Sequence, residues 1–278
     1  FMLTGILTVI SIGVVAWMTP APEVSKLHED TQAQPSRMGE VLRDRQLLNL
    51  DFGIFALHAA QMALFTALPF AMTQLGLEKI QHWKVYLPST IAGLVIMIPL
   101  IIIGETRNKL KQVFILGIAC IAAAQIGLLF GMHSIWLITA YLVVYFIGFN
   151  VLEASLPSMV SKIAPADLKG TAMGVYNTMQ SVGLFVGGAS GGWLFQQYGF
   201  AGVFTFCSVL MLLWLVIAVL APAPKPVKNL SYSVSPAWQE KHDSLYQALS
   251  QVEGVESIAF SADKQTIYIK PLQKGFDQ

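Results

Sequence analysis

Uninterrupted apolar runs of about 20 residues decide what this chain can become, because a helix needs roughly that length to cross about 30 Å of hydrocarbon. Seven such runs are read, at 1–18, 47–70, 85–103, 112–131, 135–157, 172–195 and 203–220. None alternates strictly, and each is too long for a barrel strand. They are expected to be transmembrane helices, which satisfy their own backbone groups in lipid. Composition agrees: 12% of residues are charged and 55% are apolar, about half the charge of an ordinary soluble protein. Asp51 and Glu153 are the only charged residues within the runs. A net charge of +1 lacks the basic footprint of a nucleic-acid binder. Cys120 and Cys207 lie inside apolar runs and read as small apolar thiols, not as a disulfide or a metal site.

All Lys and Arg residues except Lys79 and Lys84 fall in the segments after the first, third, fifth and seventh runs. The positive-inside rule then puts those segments and the C-terminus in the cytoplasm. The expected organisation is a last span of a first half (1–18), a cytoplasmic linker (19–46), a six-span half (47–222) and a cytoplasmic tail (223–278). The chain opens mid-run at Phe1 without a basic leader, so further spans are expected before it. In the linker, Met38, Val41, Leu42 and Leu47 form an amphipathic pattern suited to the membrane surface. The tail follows a stiff Pro-rich spacer ending at Pro226. Its pattern gives a strand at 230–234, a helix at 244–252, and strands at 255–260 and 266–269 around an Asp263-Lys264 turn. This β-α-β-β order is an incomplete ferredoxin-like fold, and the chain is expected to continue. Its strand edges could meet another copy or the transporter itself. His242 stands alone there and reads as a surface histidine.

The glycines of the sixth run, Gly174, Gly183, Gly187, Gly188, Gly191 and Gly192, suit close helix approach or a moving crossing point. Five of them resemble the antiporter motif of the major facilitator superfamily, G-x8-G-x3-G-P-x2-G-G, with Gly188 at the proline position. In the family that motif belongs to the fifth span, so its occurrence here resembles a pseudo-symmetric echo. The run from Ala164 to Asn177 is similar to the loop before span eleven. Glu105-Thr106-Arg107-Asn108-Lys109-Leu110-Lys111 resembles a degenerate inner-loop motif. The run from Phe149 to Ser158, with the ferredoxin-like tail, is similar to YajR-type drug exporters. The resemblance implies an all-α polytopic membrane bundle of twelve spans in two halves, alternating access around a central cavity, and no cofactor beyond a proton gradient.

Asp51, Phe55, His58, Met62 and Phe65 share one helical face of the second run, with Gln61 close by. A mid-membrane histidine reads either as a proton carrier or substrate contact, because imidazole titrates near physiological pH, or as a packed, hydrogen-bonded side chain. Asp51 is expected to cap its helix or pair with Arg45. Tyr141, Tyr145 and Phe149, with Asn150 beside them, and Tyr176, Asn177 and Gln180 on the sixth run suit a cavity for amphipathic or cationic solutes. The bland alternative is helix packing. Glu153, one turn inside Pro157, is read as a gate latch for the loop of Glu105, Arg107 and Lys109, with Arg107 its first partner. The competing reading is a protonatable group at the cavity.

The favoured function is proton-driven efflux of a lipophilic small molecule across a bacterial inner membrane, with small-molecule substrate, protons and lipid as partners. A symporter or uniporter for a polar metabolite, and a non-transporting sensor, remain the alternatives. No nucleophile triad, metal cluster or phosphate loop points to an enzyme.

Overall fold

The computed structural model describes residues 2–19, 33–107, 109–222, 230–235, 238, 242–252, 254–260 and 266–271. The apolar runs become α1 (Met2–Met18), α3 (Arg45–Gln74), α4 (Trp83–Thr106), α5 (Leu110–Gly131), α6 (Ile135–Ile163) and α7 (Lys169–Leu220), with a four-residue α2 (Met38–Val41) before α3. The helices α3 to α7 are long and apolar enough to cross a membrane. No residue of α1 is buried. The result is the all-α polytopic bundle expected. The Pro-rich spacer and the Asp263-Lys264 turn lie outside the described residues.

The 52 residues of α7 would reach about 78 Å if straight. They do not run straight, because Gly199 takes φ 62° and ψ −151°, a conformation open essentially to glycine alone. The chain reverses there, so two of the expected spans share α7 as arms 169–198 and 200–220. Both arms grip α3. A Cβ on Gly183 would lie 2.5 Å from the Phe55 carbonyl oxygen, and one on Gly191 2.7 Å from Ala63 Cα. Gly187 faces the Ala59 backbone between them. On the returning arm, Cys207 Sγ donates to the Ala60 carbonyl at 3.6 Å, and the Trp214 ring lies against Gly53. This double grip makes α3 the centre: its apolar window is 61% buried, against 17% for α4. Gly174, Gly188 and Gly192 meet nothing within 4 Å. They fall on another face of the helix, so the glycine pattern combines a packing seam with an open face.

The helix α6 packs on the other side of the bundle. A Cβ on Gly93 of α4 would lie 2.7 Å from the Phe146 backbone, and Gly117 and Gly148 bring α5 and α6 equally close. Several helices run through prolines: Pro69 in α3, Pro88 and Pro99 in α4, Pro157 in α6. Neighbouring helices and local adjustment satisfy the freed backbone groups of such prolines in membranes. Consequently α6 continues past the expected end at Pro157 to Ile163, about 9 Å further.

The linker does not form one surface-lying amphipathic helix. A 3-10 turn at Pro35–Arg37 leads into α2, and Asp44 then caps α3, its carboxylate accepting from the backbone N–H of Gln46 and Leu47 at 2.7 and 3.2 Å. Val41 is buried in the bundle while Met38 and Leu42 stay exposed. The Gln34 N–H donates to Thr171 Oγ1 at 2.8 Å, and Arg37 donates to Asp167 and, through two nitrogens, to Glu40. These bonds tie the linker to the turn before α7, at the end where α3 begins, here called the linker end.

The bonded Arg37 guanidinium holds the Glu40 carboxyl below the usual carboxylate range, and Glu40 and Asp167 push Arg37 higher still. A carboxyl whose folded pKa is depressed adds stability above its unfolded pKa and loses it as pH falls through the folded value. The contact is therefore expected to hold at neutral pH and loosen in acid. Hydrogen exchange at residues 34–44 checks this: protection at neutral pH should drop severalfold in Arg37→Ala.

In the tail, β1 (Leu230–Ser233), α8 (His242–Ser250), β2 (Val255–Phe260) and β3 (Thr266–Pro271) follow the expected order. The sheet runs β1-β3-β2 with both pairings antiparallel, so β1 and β2 are parallel. Val234, Ile267 and Ile269 are buried, with Leu245 and Leu249 of α8 packed against them.

Candidate functional site

The tight α3–α7 seam places His58 of α3 beside Gln180 of α7. The imidazole is 5% exposed. Nδ1 lies 3.2 Å from the Ile54 carbonyl oxygen, which can only accept, so Nδ1 carries the proton. Nε2 lies 2.8 Å from the Gln180 amide nitrogen and accepts from it. This assignment follows from the hydrogen-bond network. From the third side comes Glu153 of α6, whose Oε2 is 3.7 Å from Nε2. That oxygen is turned inward and has no hydrogen-bond partner, while the side chain as a whole is 41% exposed. The neutral ring is thus satisfied by Gln180. A protonated ring would present a second N–H, and Glu153 is the nearest carboxylate to receive it.

Aromatic rings surround this trio. Phe149 meets His58 edge-on at 6.0 Å and stacks on Tyr145 at 5.9 Å. Phe146 packs against both and reaches Phe65, which meets Tyr86 of α4 at 5.5 Å. Phe55 and Phe52 continue the wall along α3 at 6.2 Å. Gln61 and Met62 are half-buried on the same helix. Tyr176 is 3% exposed on α7. The Tyr145 hydroxyl and Asn150 Nδ2 are buried and unbonded. The arrangement sets a histidine beside a carboxylate, with spare polar atoms and an aromatic wall around them.

Other expected residues stand elsewhere. The ring of Tyr141 lies against Gly127 and Gly131 of α5, as helix packing, because two glycines on one face leave a slot that a phenol fills. Asn177 is exposed on α7, one turn before Gln180. Asp51 does not cap α3; Asp44 does, and Asp51 is buried at 1% exposure.

The expected pairing of Glu153 with Arg107 is also replaced. With α6 running on past Pro157 to Ile163, Glu153 sits beside His58, and no ion pair joins it to Arg107 among the described residues. Lys162, in the last turn of α6, instead meets Glu105, in the last turn of α4, at 3.4 Å. Both are exposed, so the pair contributes at most about 1 kcal/mol. Arg107 and Lys109 are exposed without an ion pair among the described residues. Lys111 bonds to the Val219 and Ala221 carbonyls at 3.0 and 2.6 Å, where a cation suits a helix C-terminus.

Two further residues were not expected from sequence. Tyr86 stands near the start of α4, where composition does not show which face it takes. Gln125 of α5 is fully buried with neither amide atom bonded; an amide in the middle of an apolar run was the available signal.

A family model described as Major Facilitator Superfamily matches residues 1–188 and again 110–253. The inner membrane transport protein YajR of Escherichia coli K12 is 33% identical over 270 residues, covering 97% of this chain and 59% of that protein. An uncharacterized transporter of Buchnera aphidicola is 26% identical over 229 residues, 79% of this chain and 57% of the relative. The multidrug resistance protein MdtH of Cronobacter sakazakii is 25% identical over 227 residues, 76% of this chain and 54% of the relative. The chain thus spans between 54% and 59% of the length of these relatives. The family match extends over the apolar helices and the glycine seam that positions His58, and the chain belongs to the major facilitator superfamily.

Proposed function

We propose that the chain forms part of a proton-coupled secondary transporter that exports lipophilic, drug-like molecules from a bacterial cytoplasm by alternating access. The observation that carries this reading is His58 held between Gln180 and Glu153 and backed by Phe149 and Tyr145. A neutral and a protonated imidazole require different partners there, so proton uptake is tied to a change of contact between α3 and α6. The names of the relatives, an inner membrane transport protein and a multidrug resistance protein, support membrane transport and make a drug-like substrate reasonable. The placement of Lys and Arg supports a cytoplasmic linker end and a cytoplasmic tail, with the tail as a regulatory or assembly module.

Reconstitution in proteoliposomes tests the reading. With an imposed proton gradient, the protein should move a lipophilic cation such as tetraphenylphosphonium, and dissipating the gradient should stop it. His58→Ala should flatten the pH dependence of export, while His58→Gln should retain the protein's stability but not that dependence. A wild-type pH profile in His58→Ala would return the histidine to a packing role.

A further inference from the structure

Asp51 is the second charged residue within the apolar runs, and the His58 site leaves it without a task. It lies on α3 seven positions before His58, closer to the linker end and on the same face. Its side chain is 1% exposed and Oδ2 has no hydrogen-bond partner. Of the other titratable groups of this core, Tyr176 comes from α7, Glu153 from α6, and His58 stands on α3 itself. No described cation pairs with Asp51. At the linker end, Lys111 is bonded to the Val219 and Ala221 carbonyls, and Arg37 to Glu40 and Asp167. A bare, unpaired carboxylate at this depth is strongly penalised. A proton removes the charge without requiring a neighbouring cation.

We propose that Asp51 is a second proton-binding carboxyl of the transport cycle, standing between the His58–Glu153 pair and the linker end. This rests on the proton-coupled reading above. On protonation, an O–H bond forms on the Asp51 carboxylate as an O–H bond of hydronium breaks and leaves water. Release at the linker end reverses the step and returns Asp51 to its anion. One proton moves each way, charge and atoms balance, and no redox partner takes part.

Infrared difference spectra of the purified protein, in water and in heavy water, read protonated carboxyls without any transported solute. A deuterium-sensitive carboxylic-acid band at neutral pH should be present in wild type and in Glu153→Gln and missing in Asp51→Asn. A wild type lacking the band, or an Asp51→Asn variant that keeps it unchanged, overturns the proposal. In proteoliposomes, gradient-driven movement of tetraphenylphosphonium should fall about tenfold or more in Asp51→Asn, with binding of the probe unchanged, and recover in Asp51→Glu. Full transport by Asp51→Asn overturns the proposal. A wild type that moves no probe counts against the export reading, and the infrared band then decides Asp51 alone.

Discussion

Replacing Gly187 with alanine is expected to destabilise the bundle by about 3 kcal/mol or more, the upper end of what overpacking does. The added Cβ would lie 2.6 Å from Ala59 Cα and 2.7 Å from its carbonyl carbon. Both neighbours are backbone, so no side chain can swing aside, and α3 and the first arm of α7 must separate. Separation would also draw Gln180 away from His58. Gly188 supplies the control one position along, because a Cβ there meets nothing within 4 Å. Gly188→Ala should be neutral or up to about 1 kcal/mol stabilising, from helix propensity alone. Thermal melting of the detergent-purified variants compares them. Equal melting of the two would show that the seam yields, and would falsify the close-contact reading.

On the proton-coupled reading proposed above, replacing Glu153 with glutamine is expected to reduce gradient-driven export to background. Glutamine keeps the size and polarity of the side chain but gives up the carboxylate that can receive a proton or a protonated imidazole. Binding of the transported cation should survive, because the aromatic wall of Phe149, Tyr145 and Phe55 remains. Arg107→Ala should leave both properties near wild type, since Arg107 has no ion-pair partner among the described residues. The reverse outcome, with Arg107 essential and Glu153 dispensable, would restore the latch expected from sequence. Flux measured in proteoliposomes with and without a proton gradient separates the two.

The fold was legible because each expected span carried its own signal in length and polarity. What composition could not reveal was depth. Pro157 reads as the end of the fifth run, yet α6 continues to Ile163, and Glu153 stands at the level of His58. The face of a helix was readable for His58 and Phe149, whose neighbours repeat at three and four residues. It was misleading for Tyr141, because a phenol fitting against two glycines and a phenol lining a cavity share the same spacing. The glycines of the sixth run were recognised together, but only the partner backbone of Phe55, Ala59 and Ala63 separates Gly183, Gly187 and Gly191 from the rest. Asp51 reads as a cap or a partner of Arg45 because it follows Arg45 closely, although Asp44 occupies the position from which a carboxylate reaches the first free N–H groups.

The two-sided grip of α7 on α3 also fixes which partner can move. His58 is mounted on a helix clamped by glycine contacts along one arm and by Cys207 and Trp214 along the other. Glu153 rides on α6, whose close backbone contacts are with α4 and α5 instead. Within this half, α3 and α7 are therefore expected to stay together while α6 shifts against them, with the distance between Nε2 and Glu153 as a gauge of their relative position. Spin labels on α6 and α7 should report a separation that changes with pH, while a pair on α3 and α7 stays constant.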